Sequence, residues 1–531
     1  MTAAPAVRTG LAFRYREDGG NFTQAVHRCT GVGKCRADTT AVGGVMCPSY
    51  LATREEKDST RGRARALQEM LNGSLVTDGW SSPEVHETLD LCLSCKGCAS
   101  DCPTGVDMAT WKSEVLHQTY RGKRRPISHY TLGRLPQWAA LASRIPKVAN
   151  AITKVPGVAS VGLRLGGMDR RRNVPAFAPR TFRRWLADTA GQRARTGEPV
   201  LLFVDTFTDY FTPEAGMAAV EVLEAAGYRV RVTEKQQCCA LTWITTGQLD
   251  EARKILGRTV TELFRAGTPI VGIEPSCTAV LRSDTVELLG SEPARVVADS
   301  TRTLAELLGD WEPPSLAGTT VVAQPHCHHH AIMGWDADAA LLKRAGAEVT
   351  RLGGCCGLAG NFGVERGHYD VSVAVANNQL IPAVESADAD TVVLADGYSC
   401  RTQLSDLTDR EALTLRSCSL PGSHRFGRSN HQGLMSRRMG GTSVSVGILW
   451  RFWRECPTFI GPSIELLGCG LCIPPPAPDD PFHRIPEFAH VRDYTESATA
   501  SLLFWSAQRW LRHSGGFAGL GSPVAEARIG G

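Results

Sequence analysis

From residue 200 onward, short runs of β-branched and aliphatic residues alternate with amphipathic segments of helical period, which predicts an α/β domain with a largely parallel sheet. The predicted order is strand 200–205, a helix from about Pro213, strand 228–233, the pair Cys238-Cys239, helix 249–266 and strand 270–274 leading to Cys277. The order then repeats: strand 319–324, Cys327, helix 336–345, the pair Cys355-Cys356, helix 369–380 and strand 391–395 leading to Cys400. The pairs are offset by 117 residues and the closing Ser-Cys steps by 123, so the pattern reads as an internal duplication.

Upstream of residue 199 the apolar spacing is helical. Ser59 to Leu67 opens a helix, and Ser82-Pro83-Glu84 is an N-cap with Pro at the first helical position. Between Lys112 and Arg184, Trp138, Leu141 and Ile145 recur at helical spacing, while Pro126, Pro136, Pro146 and Pro156 cut the segment into short helices. Beyond about Leu415, Ser, Arg, Gly and Pro dominate and periodicity is lost. The expected organisation is a helical domain 1–110, a helical connector 111–198, a first α/β repeat 199–315, a second 316–415 and a tail 416–531 that is disordered or frame-shifted.

The chain has 531 residues, 43% apolar and 21% charged, which is ordinary globular usage and excludes collagen-like, coiled-coil and wholly disordered classes. The N-terminal stretch lacks an apolar core of signal-peptide length and no run reaches 18 uncharged apolar residues. A cytoplasmic location is therefore expected, with any membrane contact peripheral. From Lys112 to Arg184 the chain carries sixteen Lys or Arg against Glu114 and Asp169, a local net of +14 in a chain of +4, so the remainder carries −10. Such a positive face suits an anionic membrane surface or an acidic partner, or is simply solvated.

Eighteen cysteines in a reducing compartment read as metal ligands or redox groups. Cys92, Cys95, Cys98 and Cys102-Pro103 form C-x2-C-x2-C-x3-C-P, the bacterial ferredoxin run, in which three thiolates grip one iron–sulfur cluster and the fourth ligates another. Three thiolates within seven residues crowd a single zinc ion, whereas a backbone curled round one corner of a cubane, with Gly97 free to take positive φ, accommodates them. Cys29, Cys35 and Cys47-Pro48 are the counterpart run, with Val32 at the second ligand position. By exchange of the last thiolates, Cys47, Cys92, Cys95 and Cys98 form a complete [4Fe-4S] site, and Cys29, Cys35 and Cys102 a three-thiolate site. The latter is similar to the three-iron site in the iron–sulfur subunit of succinate dehydrogenase and fumarate reductase. It is expected to hold [3Fe-4S], with a second [4Fe-4S] cluster bearing a non-Cys ligand as the alternative. Arg61, Arg63 and Arg65 would offset cluster charge, dock a partner or face solvent.

These motifs, with Thr60-Arg61-Gly62-Arg63, Cys355-Cys356-Gly357 and Gly397-Tyr398-Ser399-Cys400, resemble the iron–sulfur half of FAD-linked 2-hydroxyacid oxidoreductases from about Thr9 to Leu415. That family includes cytochrome-type D-lactate and D-2-hydroxyglutarate dehydrogenases and the iron–sulfur subunits of glycolate oxidase and anaerobic glycerol-3-phosphate dehydrogenase. Its Cys-Cys-Gly module is also found, duplicated, in heterodisulfide reductase. The resemblance implies a mixed fold, an all-α ferredoxin-like two-cluster domain followed by a duplicated α/β cysteine-rich domain. It also implies metal-binding thiolates in each repeat. The second keeps Cys327, Cys355, Cys356 and Cys400, enough for a further cluster or zinc, with the imidazoles of His326, His328, His329 and His330 available to ligate or to hydrogen-bond a ligand. The first keeps only Cys238, Cys239 and Cys277, having Thr206, Ala240 and Val280 at family ligand or glycine positions.

Only 28 residues precede Cys29, so FAD is expected on a partner chain. The resemblance thus implies an electron-transfer subunit serving an FAD-linked 2-hydroxyacid dehydrogenase for D-lactate, glycolate or D-2-hydroxyglutarate. Electrons would pass to a quinone or cytochrome, and the chain would be inactive alone, with no catalytic residue assigned. A heterodisulfide reductase-like thiol/disulfide oxidoreductase is the alternative. A zinc scaffold binding nucleic acid is a further class, and no nucleic-acid partner is expected.

Overall fold

The computed structural model describes residues 10–418. The expected tail from residue 419 on, including Cys469 and Cys472, lies outside the described residues. From Arg16 to Gln192 every assigned element is helical. The helix Thr60–Asn72 starts where the Ser59 side chain accepts the Gly62 N–H, and it stops at Gly73 in the left-handed region. Its Ala64, Leu67, Met70 and Leu71 are buried. The helix Met108–Thr119 is capped in the same way by Asp107, which accepts the Thr110 N–H.

Proline punctuates the connector at helix starts. Pro126 caps Ile127–Thr131, Pro136 and Pro146 lie in the first turns of Leu135–Ala142 and Pro146–Lys154, and Pro156 falls before Val158–Leu165. The apolar stripe of these helices is not core. Trp138 is 53% exposed, and Leu141, Ile145, Val148, Ile152 and Leu165 also face outward. At its far end the connector is tied down by the buried Arg172, which donates to Gly363 O and Ser372 Oγ at 2.7 Å and pairs with Asp406 at 3.2 Å.

Two four-stranded parallel sheets follow. The first comprises β1 (Glu198–Phe203), β2 (Tyr228–Arg231), β3 (Ile270–Gly272) and β4 (Thr301–Arg302), in the order β2-β1-β3-β4. The second comprises β5 (Thr320–Ala323), β6 (Glu348–Arg351), β7 (Val392–Leu394) and β8 (Ala412–Leu413), in the order β6-β5-β7-β8. Register is equivalent too, with Val200 opposite Val230 and Val321 opposite Val349. The duplication is therefore one of topology as well as sequence. Each sheet has a fourth strand that the sequence pattern does not announce, because β4 and β8 are two residues long and too short to show a period.

Alternation along β1 explains how the parts meet. Leu201 and Phe203 enter a core shared with the N-terminal helices, through Leu67, Met108 and Trp111. Val200, Leu202 and Val204 point the other way, into a core shared with Val321 and Leu394 of the second repeat. A strand of period two buried on both faces thus joins the helical domain to the two repeats.

Candidate functional site

Cys47, Cys92, Cys95 and Cys98 are all buried and line one small cavity, together with Arg63 and Lys96. The sharp curl of the 92–98 loop comes from Ser94 (φ 54°) and Lys96 (φ 58°), two non-glycine residues in the left-handed region. Gly97 does a different job from the one expected of it. It heads the short helix Gly97–Asp101 with ordinary φ, and its lack of a side chain admits Val45, whose Cγ1 would lie 2.9 Å from an added Cβ. The N–H groups of Gly97, Met108 and Tyr50 point at the sulfurs of Cys95, Cys98 and Cys47. Four convergent thiols with N–H donors aimed at them fit a thiolate-bound cluster.

Arg63 is the buried counter-charge here. Its guanidinium donates to Cys47 Sγ at 3.5 Å, Ser49 Oγ at 3.0 Å and Thr88 O at 2.9 Å. Burial pushes the Cys47 thiol up, but Arg63 and hydrogen bonds from Thr60, Ser49 and Tyr50 outweigh it and hold the thiol below its ordinary range. Of its neighbours, Arg61 is paired with Glu56 at 2.7 Å and Arg65 lies largely in solvent.

Cys35 lies near both Cys29 and Cys47, and Cys29 lies near Cys102. Cys29 and Cys102 are partly exposed, and nearby Cys102 helps raise the Cys29 thiol; Cys35 is buried and feels both Cys29 and Cys47. Burial is the main cause raising both Cys29 and Cys35, opposed by N–H donors from Gly31 and Arg61 respectively. Val32, at the missing ligand position, is 66% exposed, so that corner faces solvent.

In the second repeat Cys327, Cys355, Cys356 and Cys400 are buried. Cys355 contacts Cys327 and Cys356, and Cys356 contacts Cys400. Hydrogen bonds from Cys355 and Cys400 hold the Cys356 thiol well below its usual range, despite burial. Gly357 has φ 85°, an added Cβ there would meet Ser372 O at 2.0 Å, and its N–H donates to Cys355 Sγ at 3.5 Å. Cys400 lies in the first turn of Tyr398–Leu407. In the first repeat Ala240 stands in for that glycine with φ 61°, and Cys239 Sγ lies 2.9 Å from Cys277 Sγ.

The fold also sets the sites in series. Nearby Cys327 helps raise the Cys95 thiol, and the two share a buried cluster with Val45, Leu93 and Cys355. The histidine run makes that junction. His328 Nε2 donates to Ser94 O at 2.9 Å, and His330 Nε2 meets Asp101 Oδ1 at 2.8 Å. Asp101 also accepts the N–H groups of Val45 and Met46 at 2.6 and 2.9 Å, and these contacts hold its carboxyl at about 2 despite burial. His329 pairs with Asp338 at 3.3 Å. Of the imidazoles expected to serve a ligand, His329 and His330 thus face Asp338 and Asp101, while His328 Nδ1 is buried without a partner among the described residues. Lys96 and Asp101 stand at unspecified positions of the ferredoxin run and Arg172 in no motif, so sequence reading passes over them.

Residues 24–106 match the 4Fe-4S dicluster domain, and residues 203–282 and 336–405 match the cysteine-rich domain. The matched segments thus run from a dicluster domain to two cysteine-rich domains, and the last of them begins after Cys327. D-2-hydroxyglutarate dehydrogenase of Pseudomonas putida is 27% identical over 443 residues, covering 74% of this chain and 42% of that protein. A subunit of the anaerobic glycerol-3-phosphate dehydrogenase of Escherichia coli is 28% identical over 297 residues, 54% of this chain and 74% of that polypeptide. Lactate utilization protein A of Bacillus subtilis is 28% identical over 211 residues, 37% and 87% respectively. The chain spans about two fifths of the 2-hydroxyglutarate enzyme and three quarters of the glycerol-3-phosphate dehydrogenase polypeptide. Among the described residues no helix is long and apolar enough to cross a membrane.

Proposed function

We propose that this chain is the iron–sulfur electron relay of an FAD-linked dehydrogenase acting on a 2-hydroxyacid or a related alcohol. The observation that carries this reading is the proximity of Cys95 and Cys327 within one buried cluster, which brings the dicluster domain against the second cysteine-rich repeat. An iron–sulfur cluster takes up and gives back one electron at a time, and so extends a flavin that collects electrons in pairs. Cys47, Cys92, Cys95 and Cys98 would hold [4Fe-4S], Cys29, Cys35 and Cys102 would hold [3Fe-4S], and Cys327, Cys355, Cys356 and Cys400 would hold a further cluster. The four thiolates of the second repeat suffice for one cluster, or for zinc.

The protein's own part is to exclude water, aim N–H donors at sulfur and supply Arg63 as counter-charge. The flavin would sit on a partner polypeptide, a reading supported by the likeness to a protein named as one subunit of a dehydrogenase. A quinone or cytochrome would take the electrons, and the basic connector would lean on an anionic membrane surface or the partner.

The test is anaerobic mixing of the purified chain with an FAD-linked partner flavoprotein and D-lactate, glycolate or D-2-hydroxyglutarate. Cluster absorbance should bleach only when flavoprotein and substrate are both present, and more slowly as salt rises. Stoichiometric FAD and turnover in the chain alone would overturn the relay. Thiol/disulfide chemistry is a second reading, favoured by the 2.9 Å approach of Cys239 and Cys277; it predicts reduction of a disulfide substrate that Cys239→Ser abolishes.

A further inference from the structure

Likeness to the family implies metal-binding thiolates in each repeat, and the residues of the first repeat do not fit such a group. Val200 and Val321 hold the same place in the two sheets, so Cys327 of the second repeat corresponds to Thr206 of the first. Thr206 is buried in the opening turn of the helix Thr206–Tyr210, where its neutral hydroxyl cannot replace a thiolate. Cys238, Cys239 and Cys277 are what remains.

Charge argues the same way. Asp205 and Glu274 are both buried, and both lie near enough to Cys277 to disfavour a negative charge on its sulfur. Cys47, by contrast, has the Arg63 guanidinium against it. An anionic thiolate-bound ion or cluster would therefore sit beside two buried carboxyls, whereas a disulfide carries no charge.

Geometry adds a third observation. Two thiolates on one tetrahedral ion, with metal–sulfur bonds of about 2.3 Å, stand about 3.8 Å apart. Cys239 Sγ and Cys277 Sγ are 2.9 Å apart, inside that separation. A further approach of under about 1 Å completes a disulfide of about 2.0 Å. Both cysteines line a cavity of about 440 Å³, through which a small molecule can reach them.

We propose that Cys239 and Cys277 form a reversible disulfide, with a small-molecule disulfide as the oxidant, and that the first repeat holds no metal. In the net exchange two S–H bonds of the chain and the S–S bond of the oxidant break. The Cys239–Cys277 bond and two S–H bonds of the released thiols form, so two electrons and two protons pass to the oxidant. In a reducing compartment such a bond is transient and redox-sensing. It ties the segment before the helix Leu241–Thr245 to the helix Pro275–Arg282, which leads directly to Asp284, the partner of Lys96 in the ferredoxin run. The couple is internal to this chain and needs neither the relay nor turnover of a disulfide substrate.

The test is anaerobic equilibration of the purified, cluster-loaded full chain with mixtures of 2-hydroxyethyl disulfide and 2-mercaptoethanol, then acid quench, alkylation of free thiols and peptide mass spectrometry. One Cys239–Cys277 cross-linked peptide is expected, formed with consumption of one equivalent of the disulfide, reopened by dithiothreitol, and without loss of iron or cluster absorbance. Oxidation should raise the unfolding midpoint, because the bond joins residues 38 apart in the chain. Cys239→Ser and Cys277→Ser should each abolish the bond and the rise while keeping the iron and zinc content of the parent. Loss of iron or zinc in either variant overturns the proposal, as does a bond to Cys238 in place of Cys277. So does the absence of any bond in the parent at every buffer ratio, a measurement that does not depend on how the variants fold. A bond formed in a chain that turns over no disulfide substrate upholds the pair and defeats the thiol/disulfide reading. Failure of the bond while flavoprotein and substrate still bleach the clusters defeats the pair alone.

Discussion

Lys96 Nζ lies 3.1 Å from Asp284 Oδ1, joining the ferredoxin run to the first cysteine-rich repeat through buried side chains, and it also meets Asp107 at 2.8 Å. The two acids respond differently. Both are penalised by burial, but Lys96 and Thr110 hold Asp107 below the usual carboxylate range, whereas burial and the charge of Asp107 keep Asp284 above it. Removing the lysine would leave two buried carboxyls facing each other. Lys96→Met is expected to cost about 3 to 5 kcal/mol in denaturant unfolding, with Lys96→Met/Asp284→Asn recovering part of the loss. A single variant as stable as the parent would show the pair to be incidental.

Arg63 is buried against Cys47. Withdrawing that positive charge disfavours an added electron nearby, so Arg63→Met should make the potential of the cluster at Cys47, Cys92, Cys95 and Cys98 more negative and hasten its loss in air. Redox titration followed by EPR reads the shift, and an unchanged potential would argue that solvent, not Arg63, sets the local field.

The solvent-facing Val32 leaves the Cys29, Cys35 and Cys102 site one thiolate short. Oxidised protein is expected to show the near-isotropic EPR signal of a three-iron cluster, and this site should be reduced before its neighbour because it carries less negative charge. Cys95→Ser should remove one four-iron cluster and leave that signal. Eight dicluster irons in a diamagnetic oxidised protein would refute the assignment.

His129 gives stability a pH dependence. Its ring packs edge-on to Tyr120 at 5.4 Å, its Nδ1 is buried without a partner among the described residues, and burial with nearby Arg125 and Lys112 pushes it down to about 4. Between about 6.5 and 4 the unfolded chain binds a proton that the folded chain does not, so stability is present above 6.5 and falls as pH drops toward 4. The loss amounts to about 3 kcal/mol at about 1.4 kcal/mol per pH unit. Unfolding midpoints across this range should fall less steeply in His129→Gln.

The described residues are packed through to Cys418. The Leu415 N–H donates to Asp396 Oδ1 at 2.9 Å, Arg416 donates to Ile273 O at 2.6 Å, and Leu415 and Cys418 enter the core between the two repeats. A chain ending at Cys418 is expected to keep its iron content and midpoint, and one ending at Thr414 to lose several kcal/mol through exposure of that core. Equal stability of the two would show the last turn to be dispensable.

What the sequence by itself determined is whatever depends on neighbours along the chain. Ligand spacing within 92–102 is a local quantity, and so are the helical period of 249–266, the prolines at the connector's helix starts, and the repeated strand order with its cysteine pairs, which the two matching parallel sheets reproduce. Packing across the chain decided the rest. Gly97 was expected to take positive φ because a curl was needed, but Ser94 and Lys96 supply the curl and Gly97 is small for Val45. The stripe containing Trp138 has the period of a buried face, yet it stays outside because the cores on both sides of β1 are already filled by the N-terminal helices and the second repeat. The proximity of Cys95 to Cys327, the bridge from Lys96 to Asp284 and the hydrogen bond of His328 to Ser94 each bring together residues far apart in the chain. No local pattern encodes such pairs, because burial, and with it the cost of an unpaired charge or polar atom, exists only once the domains have packed.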